Sequence, residues 1–306
     1  MAAYRPILAA ATHITRRAAR RRFSIISSLL LFSLLFPIFL YLLLGNVLAS
    51  DPRLVPHAIR NAQSVLFITA HSDDGSLFFG PSILQSWGRK HVNRYVLVLS
   101  SGENSETNRL ETKASCDQYS IPDKKCLILE NKDLQAHRPW DEQLIQRILE
   151  RHVTKWNVDL IITFDAYGIS SHDENHVALS NSVQRFSNLH DHHNPVAYAL
   201  QTKSMFRAYL SLLDLVPTSV PFTFRILQAM FLSVPEGYQT SLDGKIAIPP
   251  PKDGDVYGDK ALIVTSWSRH VKAQEALRKH ASESSWNRVL YSSLSRYMWF
   301  NDLRRM

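Results

Sequence analysis

Residues 68–84 read Ile-Thr-Ala-His-Ser-Asp-Asp-Gly-Ser-Leu-Phe-Phe-Gly-Pro-Ser-Ile-Leu. The apolar run at 64–70 is typical of a buried strand; it is followed by His71, Asp73 and Asp74 and then by a helical pattern. Ligands of open α/β sheets bind beyond the carboxyl ends of the strands. One imidazole and one carboxylate there suit zinc, and the neighbouring carboxylate can move protons. The alternative interpretation is a solvated acidic turn that caps the helix.

A second strand end carries similar chemistry. Residues 159–165, Asp-Leu-Ile-Ile-Thr-Phe-Asp, form another strand-like run, and residues 172–176, His-Asp-Glu-Asn-His, lead into a helical pattern. Asp165 could orient a metal-bound histidine or could be an ordinary turn residue at the strand end. We interpret Glu174 as an acid at a helix N-terminus. Two such strand-to-helix junctions together predict one shared site.

The two clusters resemble the motifs of the LmbE-like zinc deacetylases. Residues 70–74, Ala-His-Ser-Asp-Asp, are similar to the first motif, and residues 163–176 are similar to the second. The resemblance is strongest to the eukaryotic N-acetylglucosaminyl-phosphatidylinositol de-N-acetylases of GPI-anchor synthesis and covers residues 60–303. Further shared features are Phe-Phe at 78–79 with Pro81, Arg-Leu-Glu-Thr at 109–112, and the stretch 280–301.

The resemblance implies a role for each matching residue. It makes His71, Asp74 and His176 the ligands of a zinc ion that keeps one position open. It makes Asp73 the general base, whereas the alternative for Asp73 is an N-cap of the following helix. His172 would stabilise the tetrahedral intermediate and protonate the leaving amine, or it would be an ordinary loop histidine.

Arg109 lies where the family places an arginine that holds a polar substrate. Its guanidinium can donate forked hydrogen bonds to inositol phosphate or to sugar hydroxyls. The alternative is a helix-face arginine paired with Glu106 or Glu111. The implied reaction is zinc-dependent hydrolysis of the N-acetyl group of N-acetylglucosaminyl-phosphatidylinositol, which gives glucosaminyl-phosphatidylinositol and acetate.

Departures from the family pattern leave other functions open. Ser72 replaces a proline, Gly75 replaces an acidic residue, and the histidines of the second motif are spaced by four positions where the family has three. Ala281 and Glu283 replace an arginine and a glutamine. The chain could therefore be a degenerate, membrane-anchored relative that acts as a binding protein, or a deacetylase for another N-acetylglucosaminyl substrate.

An uncharged apolar stretch precedes the motifs. A spanning helix needs about 20 apolar residues, and Pro37 would kink such a helix without excluding it. We expect a basic tail at 1–23, a single transmembrane anchor at 24–49 and a deacetylase domain at 60–303. The arginines before the anchor would place the domain in the lumen by the positive-inside rule. The resemblance implies the cytosolic face of the endoplasmic reticulum, and we expect that orientation because the side of the substrate is tied to the reaction.

Strand-like and helical patterns alternate after the anchor. Strand-like runs lie at 64–70, 94–100, 125–130, 159–165 and 196–202, with another near 263–267, and helical patterns lie at 82–91, 106–119 and 140–156. The alternation predicts an α/β, Rossmann-like fold with a mostly parallel sheet flanked by helices. Residues 203–236 are apolar and aromatic but too short to span; they would lie on the bilayer interface or form core helices.

The net charge of +8 comes partly from the arginines before the anchor, and no basic stripe is interleaved with aromatic residues. A nucleic-acid partner is therefore not expected. Cys116 lies in a helical pattern and Cys126 in a strand-like run, and we expect two core thiols. The expected partners are the glycolipid substrate and membrane lipid, and the sequence identifies no protein partner.

Overall fold

A computed structural model describes residues 5–85, 92–102, 104–135, 138–169, 173–188, 195–233, 255–282 and 286–306. The chain forms a seven-stranded sheet with the strand order β3-β2-β1-β4-β5-β7-β6. The strands are β1 (Ser64–Thr69), β2 (Asn93–Val98), β3 (Cys126–Ile128), β4 (Leu160–Phe164), β5 (Val196–Leu200), β6 (Lys260–Val264) and β7 (Phe300–Arg305).

Helices connect and flank these strands. They are α1 (Arg5–Leu42), α2 (His57–Arg60), α3 (Asp74–Phe78), α4 (Gly80–Ile83), α5 (Ser105–Gln118), α6 (Glu142–Trp156), α7 (Glu174–Asn188), α8 (Met205–Ala208), α9 (Leu215–Ser219), α10 (Thr223–Phe231), α11 (Trp267–Arg278) and α12 (Trp286–Leu294). A π-helical turn (Leu43–Val47) extends α1, and 3₁₀ turns lie at Asp123–Lys125, Ser211–Asp214, Val220–Phe222 and Arg296–Met298.

The predicted α/β fold with a mostly parallel sheet is confirmed. Strand β1 pairs in parallel with β2 on one side and with β4 on the other, and β4 pairs in parallel with β5. Every residue of β1 and β4 is buried. This burial explains the continuous apolar runs, because helices cover both faces of a parallel sheet. The carboxyl ends of the two central strands consequently lie side by side.

The last strand was not predicted. Strand β6 overlaps the run expected near 263–267 only at residues 263 and 264, and β7 runs antiparallel between β5 and β6. Its sequence, Phe-Asn-Asp-Leu-Arg-Arg, conceals a buried strand because its polar side chains are paired inside the fold. The Asn301 side chain accepts from the backbone N–H of Ser82 at 3.0 Å. Asp302 pairs with the buried Arg296 at 2.9 Å.

The helical region predicted to begin at residue 82 begins earlier in the structure. Two short helices, α3 and α4, begin directly after the first motif, and residues 86–91 lie outside the described residues. Pro81 stands in the first turn of α4, where a missing backbone N–H does no harm. Gly80 lets this helix approach α11 closely, since a Cβ there would lie 3.0 Å from the Cβ of Ala273.

The expectation of two free thiols is wrong. Cys116 and Cys126 form a disulfide, with their Cα atoms 6.4 Å apart. The chain turns back after α5 and enters β3, so a residue of the last helical turn meets the first residue of the strand. The sequence separation of ten residues did not predict the disulfide, because bond formation depends on the geometry of the turn between the two cysteines.

The end of α1 packs into the folded domain. Residues Arg21–Val47 are long and apolar enough to span a membrane. A second cluster of buried residues joins α1 and its π-helical turn to α9, α10, β6 and β7, apart from the main core around β1 and β4. It consists of Leu40, Tyr41, Leu44, Leu48, Leu54, Leu215, Phe222, Ile226, Leu262, Val264 and Phe300.

Candidate metal and catalytic site

The two predicted clusters lie together at the carboxyl ends of β1 and β4. The first motif passes from β1 into α3, and the second enters α7 at Glu174. The imidazole rings of His71 and His176 have their centroids 5.3 Å apart, although 105 positions separate the two residues. The structure therefore brings both histidines together.

His176 is held from both sides of its ring. Its Nδ1 donates to the carbonyl oxygen of Gly168 at 2.8 Å, and its Nε2 lies 3.1 Å from Oδ2 of Asp74. The ring also stacks on Phe164 with centroids 4.0 Å apart. Because Nδ1 carries the proton in this contact, the Nε2 atom is the one available to a metal.

Asp74 is buried and anchored by its own loop. Its Oδ2 accepts from the backbone N–H groups of Ala70 at 3.0 Å and of His71 at 2.7 Å. These bonds hold the carboxylate against Nε2 of His176. Asp74 thus lies against one of the two histidine rings, while its contact with His71 is to the backbone N–H.

Asp173 joins this group, and the sequence interpretation missed it. Its Oδ2 lies 3.3 Å from Nε2 of His71 and 3.6 Å from Nε2 of His176. Its Oδ1 accepts from the backbone N–H of His176 at 3.2 Å, which caps the start of α7. Ligand atoms of His71, Asp173 and His176 all lie within 4.8 Å of one another. The signal was present in the sequence, because Asp173 stands three residues before His176, the spacing at which the resembled family has a histidine.

The charges of the four side chains are strongly linked. Burial opposes protonation of His176, but the Asp74 and Asp173 carboxylates outweigh it and raise the pKa of His176 to about 9. Burial opposes ionisation of Asp173, yet the hydrogen bond from His71 and the nearby His176 lower its pKa to about 2. The pKa of Asp74 is lowered by His176 in spite of burial. The carboxylates therefore attract positive charge to this site, and the two imidazoles and two carboxylates are groups that can serve as ligands of a divalent metal.

Asp73 stands at the N-cap position of α3, but its side chain makes no capping hydrogen bond. Instead, its Oδ2 accepts from Nη2 of Arg288 at 2.6 Å. Nη1 of the same arginine donates to the backbone oxygen of His280 at 3.3 Å. The helix-cap alternative for the Asp73 side chain is therefore not what the structure shows. Arg288 lies in the stretch 280–301 that the resemblance covers, but the sequence assigned it no role.

Arg109 is half-buried on α5, one turn before Thr112. The hydroxyl of Thr112 donates to the backbone oxygen of Ser72 at 3.1 Å, so this part of α5 supports the first motif. Glu111, a partner considered for Arg109, accepts instead from the backbone and hydroxyl of Ser282.

The structure describes two of the three remaining residues that the sequence analysis considered for the site. Asp165 accepts from the backbone N–H of Thr202 at 2.7 Å and from that of Tyr167 at 3.1 Å, so it is a turn residue and does not orient His176. Glu174 is exposed in the first turn of α7, as expected. His172 lies outside the described residues.

A cavity of about 650 Å³ adjoins the site. The ring of Phe78 contributes to its wall and lies 6.3 Å from the ring of His176. The wall is mostly apolar and aromatic, and it continues to α8 at the protein surface. Its other members include Ile169, Val177, Met205, Tyr209, Tyr291 and Tyr297.

Comparison with known proteins identifies similar chains. The model of the GlcNAc-PI de-N-acetylase family (PIG-L) matches residues 66–187. The chain is 30% identical over 246 residues to the N-acetylglucosaminyl-phosphatidylinositol de-N-acetylase of Bos taurus, covering 78% of this chain and 81% of that one. It is also 30% identical over 250 residues to the probable enzyme of the same name from Schizosaccharomyces pombe, covering 79% and 87%. Among solved structures, the A40926 pseudoaglycone deacetylase Dbv21 shares the fold at 12% identity, with a TM-score of 0.50 and coverage of 79% and 96%.

Proposed function

This chain belongs to the GlcNAc-PI de-N-acetylase family, and we propose that it hydrolyses the N-acetyl group of N-acetylglucosaminyl-phosphatidylinositol. The products are glucosaminyl-phosphatidylinositol and acetate, and the reaction is a step of GPI-anchor synthesis. The observation that carries the proposal is the proximity of the His71 and His176 rings at two strand ends, with the Asp74 carboxylate against Nε2 of His176. The relatives' names supply the substrate.

We assign the metal site to His71, Asp74 and His176, with zinc as the metal. Two imidazoles and one carboxylate form a ligand set that zinc uses in hydrolases. When bound, the metal supplies polarisation of the acetyl carbonyl and acidification of the attacking water. Asp173 lies close enough to His71 to act as an additional oxygen ligand, or to hold that imidazole in place.

Asp73 is the proposed general base that takes a proton from the attacking water. Its ion pair with Arg288 favours the carboxylate over the neutral acid and fixes the direction in which Oδ2 points. The water oxygen bonds to the acetyl carbon, the carbon–nitrogen bond breaks, and the amine nitrogen receives a proton as acetate leaves. We propose His172 as the donor of that proton and as a stabiliser of the tetrahedral intermediate.

Arg109 is proposed to bind the substrate through its phosphate or sugar hydroxyls. It lies on α5, the helix whose Thr112 donates to the backbone oxygen of Ser72 in the first motif, and this proximity supports the proposal. A guanidinium can donate two parallel hydrogen bonds to such oxygens.

We propose that α1 is a permanent anchor in the endoplasmic reticulum membrane. A cleaved leader would be removed from the mature protein, whereas Leu40, Tyr41 and Leu44 belong to a buried cluster of this fold. We propose that the catalytic domain faces the cytosol, because the site must lie on the side of the membrane where its lipid substrate is made. The arginine-rich flank and the Cys116–Cys126 bond are instead typical of a lumenal domain.

A glycosylation reporter decides the orientation. The chain contains no Asn-x-Ser/Thr acceptor of its own, so an acceptor appended after Met306 gives an unambiguous signal. We expect no glycan on the appended acceptor in microsomes. Glycosylation there would place the domain in the lumen and overturn the proposed orientation.

The proposed reaction is tested on the purified full chain in detergent. We expect about one zinc per chain and release of acetate from N-acetylglucosaminyl-phosphatidylinositol, and we expect His176→Ala to lose both. A wild-type protein that holds zinc, binds the lipid and releases no acetate would instead be a binding protein.

A further inference from the structure

Helix α10 exposes a large apolar face. We use the term apolar patch for the exposed side chains of Val220, Phe224, Leu227, Phe231 and Leu232. Phe224 is 73% exposed and Phe231 75% exposed. The positions 224, 227 and 231 share one face of the helix, while Ile226 on the opposite side packs into the second cluster. Aromatic residues on a monomer's surface are rarely this exposed as a group, so the patch requires an apolar partner.

No charge of the surrounding segment is left unpaired. The only charged residues between positions 205 and 232 are Arg207, Asp214 and Arg225. Arg207 pairs with Asp214 at 2.6 Å, and Arg225 pairs with Asp259 at 2.5 Å. The segment can therefore approach an apolar phase without carrying an isolated charge into it.

The length of α1 indicates what that apolar phase is. The uncharged stretch begins at Phe23, and the hydrocarbon core of a bilayer is crossed by about 20 helical residues, which carries the span to about Leu42. Phe36 and Leu40 lie before that point, yet both already pack against the second cluster. Among the described residues, the elements that α1 packs against include α9 and the 3₁₀ turn Ser211–Asp214. A domain joined to a spanning helix in this way has no linker that would hold it above the membrane.

We propose that the apolar patch lies in the interface of the same bilayer that α1 spans, so that the domain is partly immersed in one leaflet. This inference rests on the anchor of the proposed function. The partner is lipid, at the boundary between head groups and acyl chains, where aromatic and aliphatic side chains are favoured.

Immersion would also explain where the cavity opens. The cavity beside His176 continues to Met205 of α8 and to Tyr209 just after it, at the start of the same segment, and Met205 is 78% exposed. A glycolipid could keep its acyl chains in the leaflet while its head group enters this cavity. The site would then take its substrate from the plane of the membrane.

The test measures the depth of single side chains in the full chain reconstituted into phosphatidylcholine vesicles. Phe224→Cys and Phe231→Cys are each labelled with an environment-sensitive fluorophore. The native cysteines do not interfere, since they are buried and joined to each other. Leu110→Cys is the matched control, because Leu110 is 57% exposed on α5, which packs against β3 at the far edge of the sheet from β6.

We expect a lipid-borne nitroxide to quench the labels at 224 and 231, and aqueous iodide to quench the label at 110. If the labels at 224 and 231 respond to iodide as the control does, the patch lies in water and the proposal is wrong. Protection from both quenchers would mean that a second copy of the chain covers the patch, which also overturns it.

The quenching result does not depend on catalysis. Correct depths without acetate release from N-acetylglucosaminyl-phosphatidylinositol would reject the proposed reaction and keep this inference. Acetate release with the labels at 224 and 231 in water would keep the proposed reaction and reject this inference.

Discussion

The carbonyl oxygen of Gly168 accepts the Nδ1 proton of His176 at 2.8 Å, and the two residues are in close van der Waals contact. Gly168 has a φ of +68°, and a Cβ on it would lie 3.0 Å from the Cβ of His176. One glycine thus selects both the tautomer and the position of His176, a proposed metal ligand.

Gly168→Ala should therefore weaken metal binding. The added methyl group meets His176 and strains the backbone, and loss of such a supporting contact typically lowers metal affinity about 10- to 100-fold. Competition against a zinc chelator measures the affinity. Gly75→Ala is the control within the same site, since a Cβ at Gly75 has no atom within 4 Å. Equal affinities for the two variants would contradict the role of Gly168.

Asp73→Asn should separate metal binding from chemistry. The amide keeps an oxygen for Arg288 but cannot take a proton from water, so turnover should fall about 100-fold or more while zinc stays bound. Arg288→Gln should lower turnover less, because the carboxylate remains and only its orientation is lost. Acetate release and metal content measured on the same samples distinguish these outcomes. An Asp73→Asn enzyme with normal turnover would show that another group is the base.

The two carboxylates of the site should differ in importance. Asp74→Ala should abolish bound metal and activity, since a three-ligand site rarely holds its ion after losing one ligand. Asp173→Asn should retain metal with weakened affinity, because asparagine can still cap α7 but brings no charge. Metal content after dialysis gives the comparison. If Asp173→Asn loses all its metal and Asp74→Ala keeps it, the two assignments must be exchanged.

The metal-free protein should lose stability as the pH rises above neutral. The folded pKa of His176 is about 9 against an ordinary value of 6.5, so its stabilisation is complete below pH 6.5 and is lost towards pH 9. Asp173, with a folded pKa of about 2 against 3.8, stabilises above pH 3.8 and loses that effect towards pH 2. Thermal unfolding of the chelator-treated protein across this range measures the trend. Added zinc should reverse the alkaline loss, since the metal needs a neutral imidazole. An unfolding temperature of the metal-free protein that does not fall between pH 6.5 and pH 9 would contradict the His176 ion pairs.

Truncation should show that the end of α1 belongs to the domain. Removing residues 1–35 leaves Leu40, Tyr41 and Leu44 in their buried positions, whereas removing residues 1–50 uncovers Leu215 and its neighbours in the second cluster. The longer deletion should lower the free energy of unfolding by at least about 2 kcal/mol, the cost of deleting one buried leucine side chain. Denaturant unfolding in matched detergent compares the two proteins. Equal stabilities would mean that the cluster contributes nothing.

The parts of the structure that follow from short stretches of sequence were predictable. Continuous apolar runs identify β1 and β4, and the motifs at their ends bring His71 and His176 together because neighbouring parallel strands end at one edge. The pairing of Asp73 with Arg288 was not predictable, since 215 positions separate them and neither has a pattern that points to the other. Strand β7 was hidden for a related reason, because the backbone N–H of Ser82 that Asn301 accepts from and the Lys203 ammonium that pairs with Asp302 come from distant segments.

The antiparallel insertion of β7 has a consequence for the order in which the protein assembles. Strand β6 joins the sheet only through β7, which is synthesised more than 30 residues later, and Phe300 also closes the cluster that covers Leu40 and Leu44. The segment with Leu40 and Leu44 is therefore synthesised long before the strand that completes its packing. Contacts of such high sequence separation form slowly and leave apolar surface open to aggregation. With α1 inserted as proposed, the bilayer would shelter the uncovered leucines during that interval, and membrane insertion would assist the folding of this chain.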